Sequence, residues 1–308
     1  MFEIAAIIIN YNSSRLTQEC IESILKKTAT TVNFQIIVVD NCSEKDDFLK
    51  LKQFCDKVTF SNLQLVRSKI NTGFGAGNML GVHYASAKHI AFINNDTVFL
   101  NDCLTILMNA LQNDSSIGMV GGQSYKEDGT RMQAFDHFAS ITKELLGRDF
   151  LEKANPKRYP KRKAEYKTPT KVNYVQGSFM MVRNEDFNFV GGFDTNIFLY
   201  YEETDLCKRL EKTNKSCYLI PDAHYIHYHG ASTPSSIYIK IELKISLLYI
   251  IRKHSGYLGY KFLLSYLQIQ YFFKSFFKPK YWSLFKVLLV GAPLSKSLKI
   301  KQKLQNIN

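Results

Sequence analysis

The chain has 308 residues, 45% hydrophobic and 13% aromatic, which excludes a disordered or fibrous protein and leaves room for one large domain or two small ones. Its net charge of +13 is unevenly spread: residues 231–308 hold 13 Lys and Arg against the single acid Glu242, whereas residues 1–230 hold 27 Lys and Arg against 26 Asp and Glu. The six cysteines are scattered without a CxxC pair or a Cys/His cluster, which speaks against a zinc site and a secreted disulfide framework.

The chain opens on the strand-like FEIAAIII rather than on a charged segment followed by an apolar one, so a cytosolic protein is expected. Ile4–Ile9 is a continuous apolar run, the pattern of a strand buried on both faces, and ends at Asn10-Tyr11-Asn12. Leu16 to Leu25 follows as an amphipathic helix with Ser13 or Ser14 available as its cap. Phe34–Val39 predicts a second strand, ending at Asp40-Asn41; a helix over Phe48–Phe54 and a third strand at Leu63–Val66 come next. Asn78–Ala87 suits a helix, His89–Ile93 a fourth strand, Cys103–Leu111 a helix and Gly118–Val120 a short strand. This alternation predicts an α/β fold with a parallel sheet and right-handed crossovers. Residues 153–171, with three prolines, eight basic residues and no periodicity, read as a mobile connector or lid loop. Order returns over Val172–Val182; Glu202 to Lys212 has helical spacing, with Asp205 and Arg209 as a supporting i,i+4 pair, and Cys217–Ile220 is a last short strand.

Three strand ends carry polar clusters: Asn10–Asn12, Asp40-Asn41 and Asn94–Asp96. Asn-Asn-Asp alone is turn chemistry, but three such clusters on one edge suit the rule that ligands bind beyond the carboxyl ends of parallel strands. Asp96 could hold a divalent cation bridged to a diphosphate, since Mg2+ takes few protein carboxylates. His227 or His229 could join it, imidazole being more natural for Mn2+; the alternative is two histidines on one face of a strand with no ligand between them. The stretch NTGFGAGNMLG (71–81) partly matches a dinucleotide fingerprint, which would make an oxidoreductase, but Asn78 stands where the third small residue belongs. A glycine-rich turn admitting a nucleotide-sugar explains the same residues. Glu202-Glu203 follows an aromatic stretch and offers a general base, or simply an acidic helix N-terminus that suits the dipole.

Taken in order, IIINYN, VVDNCS, NTGFGAGNMLG, FINNDT, GSFMMVRNEDFNFVGGFDTNIFLYYEETDLCKR and HYHGAS resemble family 2 glycosyltransferases of the GT-A fold, in particular the bacterial rhamnosyltransferase-like branch, over roughly residues 4–255. The resemblance implies a Rossmann-like, mostly parallel sheet flanked by helices, and inverting transfer from a nucleoside diphosphate sugar to a glycan or lipid-linked acceptor in surface polysaccharide synthesis. By position it implies that Tyr11, Asn12, Asp40, Asn71, Gly73, Asn95 and Asp96 line the nucleotide-sugar, with Asp40 on the base or ribose. Asp96 and His227 would hold Mn2+ or Mg2+, and Glu203 would be the base, with Glu202 as its neighbour. Gly177 and the Gly191–Asp194 turn (Gly192, Phe193, Asp194) would shape the donor and acceptor pocket. Two departures stand out: the family's DxD is reduced to Asn-Asn-Asp, and its Glu-Asp pair is Glu-Glu. A non-catalytic nucleotide-sugar binder is the alternative these substitutions suggest.

On this reading residues 1–236 form the catalytic domain and residues 237–308 a helical, basic, aromatic-rich extension. Lysines interrupt its apolar stretches, so no run approaches the ~18–20 residues of a spanning helix. The extension fits a helix lying in an anionic membrane interface, placing the enzyme at the inner face of the cell membrane, or a pair of helices packing on the catalytic domain or in a homodimer. No nucleic-acid-binding motif accompanies the charge.

Overall fold

The computed structural model describes residues 1–228 and 236–304; the expected ligand His229 lies outside them. The first half alternates as the apolar pattern predicts: β1 (Phe2–Asn10), α1 (Ser14–Lys27), β2 (Phe34–Asp40), α2 (Lys45–Cys55), β3 (Leu63–Arg67), α3 (Gly73–His83) and β4 (Ala87–Asn94). After it come β5 (Thr97–Phe99), α4 (Cys103–Asn113), β6 (Ile117–Tyr125), β7 (Phe135–Asp136), α5 (Ile141–Leu146) and α6 (Arg148–Ala154). The catalytic half of the chain closes with β8 (Thr170–Val172), β9 (Tyr174–Val175), β10 (Phe179–Arg183), α7 (Asn184–Phe189), α8 (Glu202–Glu211) and β11 (Ser216–His227). The extension is α9 (Ile237–Phe277) and α10 (Trp282–Leu289), followed by single 3-10 turns.

The main sheet runs β3-β2-β1-β4-β10-β6-β11-β5, with β8 pairing β11. β3, β2, β1, β4, β6 and β11 are parallel to one another, and β10, β5 and β8 run against them. Strand period assigns the two faces of β1: Ile4, Ala6 and Ile8 share a core with Cys20, Ile21 and Ile24 of α1 and Leu51 of α2, while Ala5 and Ile7 belong to the core of the opposite face, where α3 lies against β1. Burial on both sides is why this strand reads as unbroken apolar sequence.

Three expectations are corrected. α3 starts at Gly73 and ends at His83 instead of covering Asn78–Ala87, so the glycine-rich stretch is the helix itself. A side chain added at Gly81 would place Cβ 2.5 Å from Ile7 Cγ2, so the glycines let α3 lie close on β1. Second, β6 and β11 are far longer than the short strands expected; β11 runs through Pro221, where its register on β6 shifts between Ile220 and His224. Third, neither serine side chain caps α1. Ser13 is the cap residue without a capping bond, and the Ser14 amide donates instead to Asp47 Oδ1 of α2 at 2.9 Å.

Residues 155–169 contain no helix or strand, and Arg162 within them is buried, its Nε 2.8 Å from Glu152 Oε1. The first part of α9 is docked on the catalytic domain: Ile241, Ile245, Leu248 and Ile251 share a core with Ala139 and Ile197. At Gly256 the backbone leaves the helical region (φ 76°, ψ −179°), so α9 is two helices joined at a break.

Candidate active site

The carboxyl ends of β1, β2 and β4 meet in one buried polar network. Asn10 Nδ2 lies 3.0 Å from Asp40 Oδ1, Ser43 Oγ and Asp47 Oδ2, and Asn10 Oδ1 accepts from Thr17 Oγ1 at 2.8 Å. Asp40 also accepts from the Ser43 amide and sits 3.4 Å from Arg67 Nε, whose guanidinium covers the Phe48 ring. Asp40 is therefore fully buried and already engaged by the fold. Tyr11 is exposed beside it, and Asn12, at φ 52°, accepts from the Glu44 amide. Buried polar groups satisfied in this way fix the edge rigidly.

Asn-Asn-Asp divides its work. Asn95 is buried and donates to Ser13 Oγ at 2.6 Å and Thr17 Oγ1 at 2.9 Å, stapling the end of β4 to α1. Asp96 turns the other way. Its Oδ1 is 3.2 Å from His227 Nε2, because β5 pairs antiparallel with β11 and sets Thr97 opposite His227. The structure thus joins the two residues proposed as metal ligands. Asp96 Oδ1 is buried without a hydrogen-bond donor in proper geometry, an arrangement that costs energy unless a cation or donor completes it. One carboxylate and one imidazole fit a divalent ion of the Mn2+ kind whose other positions go to diphosphate and water. Among the described residues no cluster of three or more His, Cys, Asp or Glu side chains could hold a metal by itself.

The start of α3 is held from both sides. Asn71 Oδ1 accepts from the Gly73 amide and from Asn41 Nδ2, and the Phe74 amide donates to Phe198 O at 3.0 Å. Gly73 has φ +81°, and a Cβ there would lie 2.1 Å from Phe198 O. Only glycine fits. Gly177 faces the Phe74 ring and the Glu203 carboxyl, each within 4 Å of where its side chain would begin. Gly192 packs on Met79, and Phe193 is a buried core residue among Phe74, Phe92 and Phe187, rather than an open pocket wall.

Tyr200 and Tyr201 both have left-handed backbones (φ 72° and 74°) just before the two acids, so the chain enters α8 through a strained turn. Glu202 is buried, one oxygen has no hydrogen-bond partner, and burial with the adjacent Glu203 charge raises its pKa well above the ordinary range. Glu203 keeps part of its surface open beside Gly177. Desolvation raises it to about 6, with Asp136 adding to the rise and Lys143 opposing it. Glu203 is thus a carboxylate of raised basicity, and Glu202 beside it is pushed further toward its protonated form by burial.

Two groups of residues escaped the sequence reading. Asp205, read as a helix-supporting partner of Arg209, also receives His254 Nε2 at 2.8 Å and Lys253 Nζ at 2.8 Å from α9. Burial pushes its pKa up, but His254, Arg209 and Lys253 outweigh that and hold it at about 2. Lys253 also reaches Asp194 Oδ2 (2.6 Å), which accepts from Tyr249 OH too, and Arg209 donates to the carbonyls of Val190 and Gly192. The turn over Gly191–Asp194 and helix α8 are therefore clamped by α9. Asp136 binds Lys143 (3.0 Å) and Arg148 (2.7 Å) near Glu203. Neither group has a local signature, since the partners lie on separate elements.

Comparison with known proteins fits this geometry. The Glycosyl transferase family 2 pattern matches residues 5–191. The chain belongs to that family. It is 27% identical over 264 residues to rhamnosyltransferase WbbL of Escherichia coli K12, covering 80% of this chain and 92% of that protein. It is 23% identical over 230 residues to the dTDP-rhamnosyl transferase RfbF of Shigella flexneri, covering 74% and 69%. Among solved structures, GalNAc-T7 with UDP, GalNAc and Mn2+ has a TM-score of 0.62 at 13% identity, over 94% of this chain and 56% of that one. The mannosyltransferase PcManGT of Pyrobaculum calidifontis with GDP-Man and Mn2+ has a TM-score of 0.57 at 13% identity, over 96% and 87%. These likenesses establish the GT-A fold, and the family establishes a glycosyltransferase, which removes the oxidoreductase and non-catalytic readings.

Proposed function

We propose that this family 2 glycosyltransferase transfers a sugar, a rhamnosyl group by the names of its relatives, from a nucleoside diphosphate sugar to a hydroxyl of a glycan or lipid-linked acceptor in surface polysaccharide synthesis, with inversion. The observation carrying the reading is the arrangement of two acidic sites: a buried Asp96–His227 pair at the sheet edge, and a partly open Glu203 of raised basicity. Glu203 takes the proton of the acceptor hydroxyl as its oxygen attacks the anomeric carbon, the bond to the diphosphate breaking on the opposite face. Negative charge accumulates on the departing diphosphate, and Mn2+ or Mg2+ held by Asp96 and His227 would supply positive charge there. Gly73, with no side chain, lets the Phe198 backbone close on the start of α3 and fix it, while Tyr11, Asn12, Asp40, Asn71 and Asn95 shape the nucleotide side of the edge. The clamp from α9 supports counting residues 237–255 with the catalytic unit, a revision of the boundary at residue 236.

Such an acceptor places the enzyme at the inner face of the cell membrane. The test is a panel of nucleotide-sugars, including dTDP-rhamnose, UDP-GalNAc and GDP-Man, scored by thermal shift with and without Mn2+. A lipid diphosphate acceptor then gives nucleoside diphosphate release and, by NMR, the anomeric configuration of the product. Retained configuration, or no Mn2+-dependent donor, would overturn the reading.

A further inference from the structure

The break at Gly256 separates two unlike halves of α9. Before it, Tyr249, Lys253 and His254 clamp the catalytic domain. Beyond it, the helix over residues 257–277 is apolar on two opposite faces. Leu263, Leu264 and Leu267 form the inner face and are buried with Leu284 and Leu288 of α10. Leu258, Phe262, Ile269, Phe273 and Phe276 recur at intervals of four, seven, four and three, which puts them on one outer stripe, and every one is exposed. Phe273 and Phe276 are each 60% exposed, and Phe272, Phe276, Trp282 and Phe285 cluster around the hairpin tip, mostly edge to face, with Phe272 and Phe285 tilted at 50°. A contiguous aromatic ridge of this kind marks a docking surface rather than ordinary exposure.

Charge selects the occupant. Residues 243–308 contain 12 Lys and Arg and no Asp or Glu, and Lys261, Lys274, Lys278, Lys280 and Lys286 lie in the same stretch of chain as the ridge. A two-fold pairing of this face with a second copy would oppose like charges across it. At ~1.5 Å per residue the segment is about 30 Å long. Length alone would reach across a bilayer, but among the described residues no helix is apolar enough to do so, and α10 occupies the inner face. We infer that the ridge lies in the headgroup region of an anionic bilayer, aromatic side chains inward and lysines on the lipid phosphates, holding the clamped catalytic domain over the surface. This rests on the proposed use of a lipid-linked acceptor, which such a posture would bring to Glu203.

Trp282 is the chain's only tryptophan and sits inside the aromatic cluster, so the full-length protein carries its own reporter. Vesicles of phosphatidylcholine with phosphatidylglycerol should shift its emission to the blue, and brominated phosphatidylcholine in them should quench it; pure phosphatidylcholine should do so at least tenfold less well. Phe273→Glu with Phe276→Glu should weaken anionic-vesicle binding at least tenfold. The thermal shift given by dTDP with Mn2+ should stay unchanged, showing that the variant is folded. No spectral change with either vesicle, unchanged binding by the double variant, equal binding to neutral and anionic vesicles, or a sedimenting dimer that only the double variant dissolves would each overturn the inference. Vesicle binding without turnover of any sugar nucleotide would leave the docking surface standing and remove only the proposed reaction.

Discussion

Glu202 and Glu203 are neighbours in sequence, yet one is buried and the other keeps part of its surface open. Glu203, raised to about 6, is mostly ionised at neutral pH, whereas burial and the Glu203 charge push Glu202 higher still. Activity should therefore fall as pH drops through about 6, seen as the acidic limb of kcat/KM. Glu203→Gln should lower kcat by at least ~10², the lower end for loss of a general base, with donor binding retained. An active Glu203→Gln and a dead Glu202→Gln would reverse the roles. At the sheet edge, Asp96→Asn should abolish the Mn2+ dependence of donor binding in titration calorimetry while leaving the fold intact, because Asn95 and not Asp96 staples β4 to α1. The sequence exposed Asp96 because it follows an apolar strand, but could not separate its role from Asn95's, since that difference is a matter of which way each side chain turns.

At the level of elements, the strands of the first half were legible because burial on both faces writes an unbroken apolar run into each. α3 was not, because its glycines carry no helical pattern; they are set by the Phe198 carbonyl and by Ile7 below. Gly73→Ala should therefore be severe. Its Cβ would overlap Phe198 O and its backbone is left-handed, so a loss of several kcal/mol, above the ~1–3 kcal/mol of backbone strain alone, is expected in urea denaturation. The clamp was equally hidden, since Asp205 and His254 are 49 positions apart. His254→Ala removes a bond to a buried carboxylate, worth about 1.5–3 kcal/mol. It should lower stability and kcat together, and more than Arg15→Ala, which breaks only an exposed pair.

The molecule as a whole carries its basic excess in residues 231–308, and its buried acids where the fold requires anchors. Asp205 and Asp136, each held at about 2, contribute stability that is full above their unfolded value of about 3.8 and is lost as pH falls through 2. Acid unfolding should start below about pH 4, and charge-neutral variants of either clamp should flatten it.

Gly256 gives the assembly a different kind of control. Its φ and ψ belong to a region open essentially to glycine alone, and nothing crowds the position, so a side chain would be resisted by the backbone and not by neighbours. The same joint is bridged by the core that Ile241 and Ile245 share with Leu263 and Leu267, and by Ser297 Oγ and the Leu298 amide, which both donate to the buried Glu242. Gly256→Ala would set a backbone preference for a straight helix against those bridging contacts, and a loss of stability in urea denaturation is the expected outcome. Aim, in such a protein, is held at two places, a glycine in the chain and a buried glutamate in the helix before it.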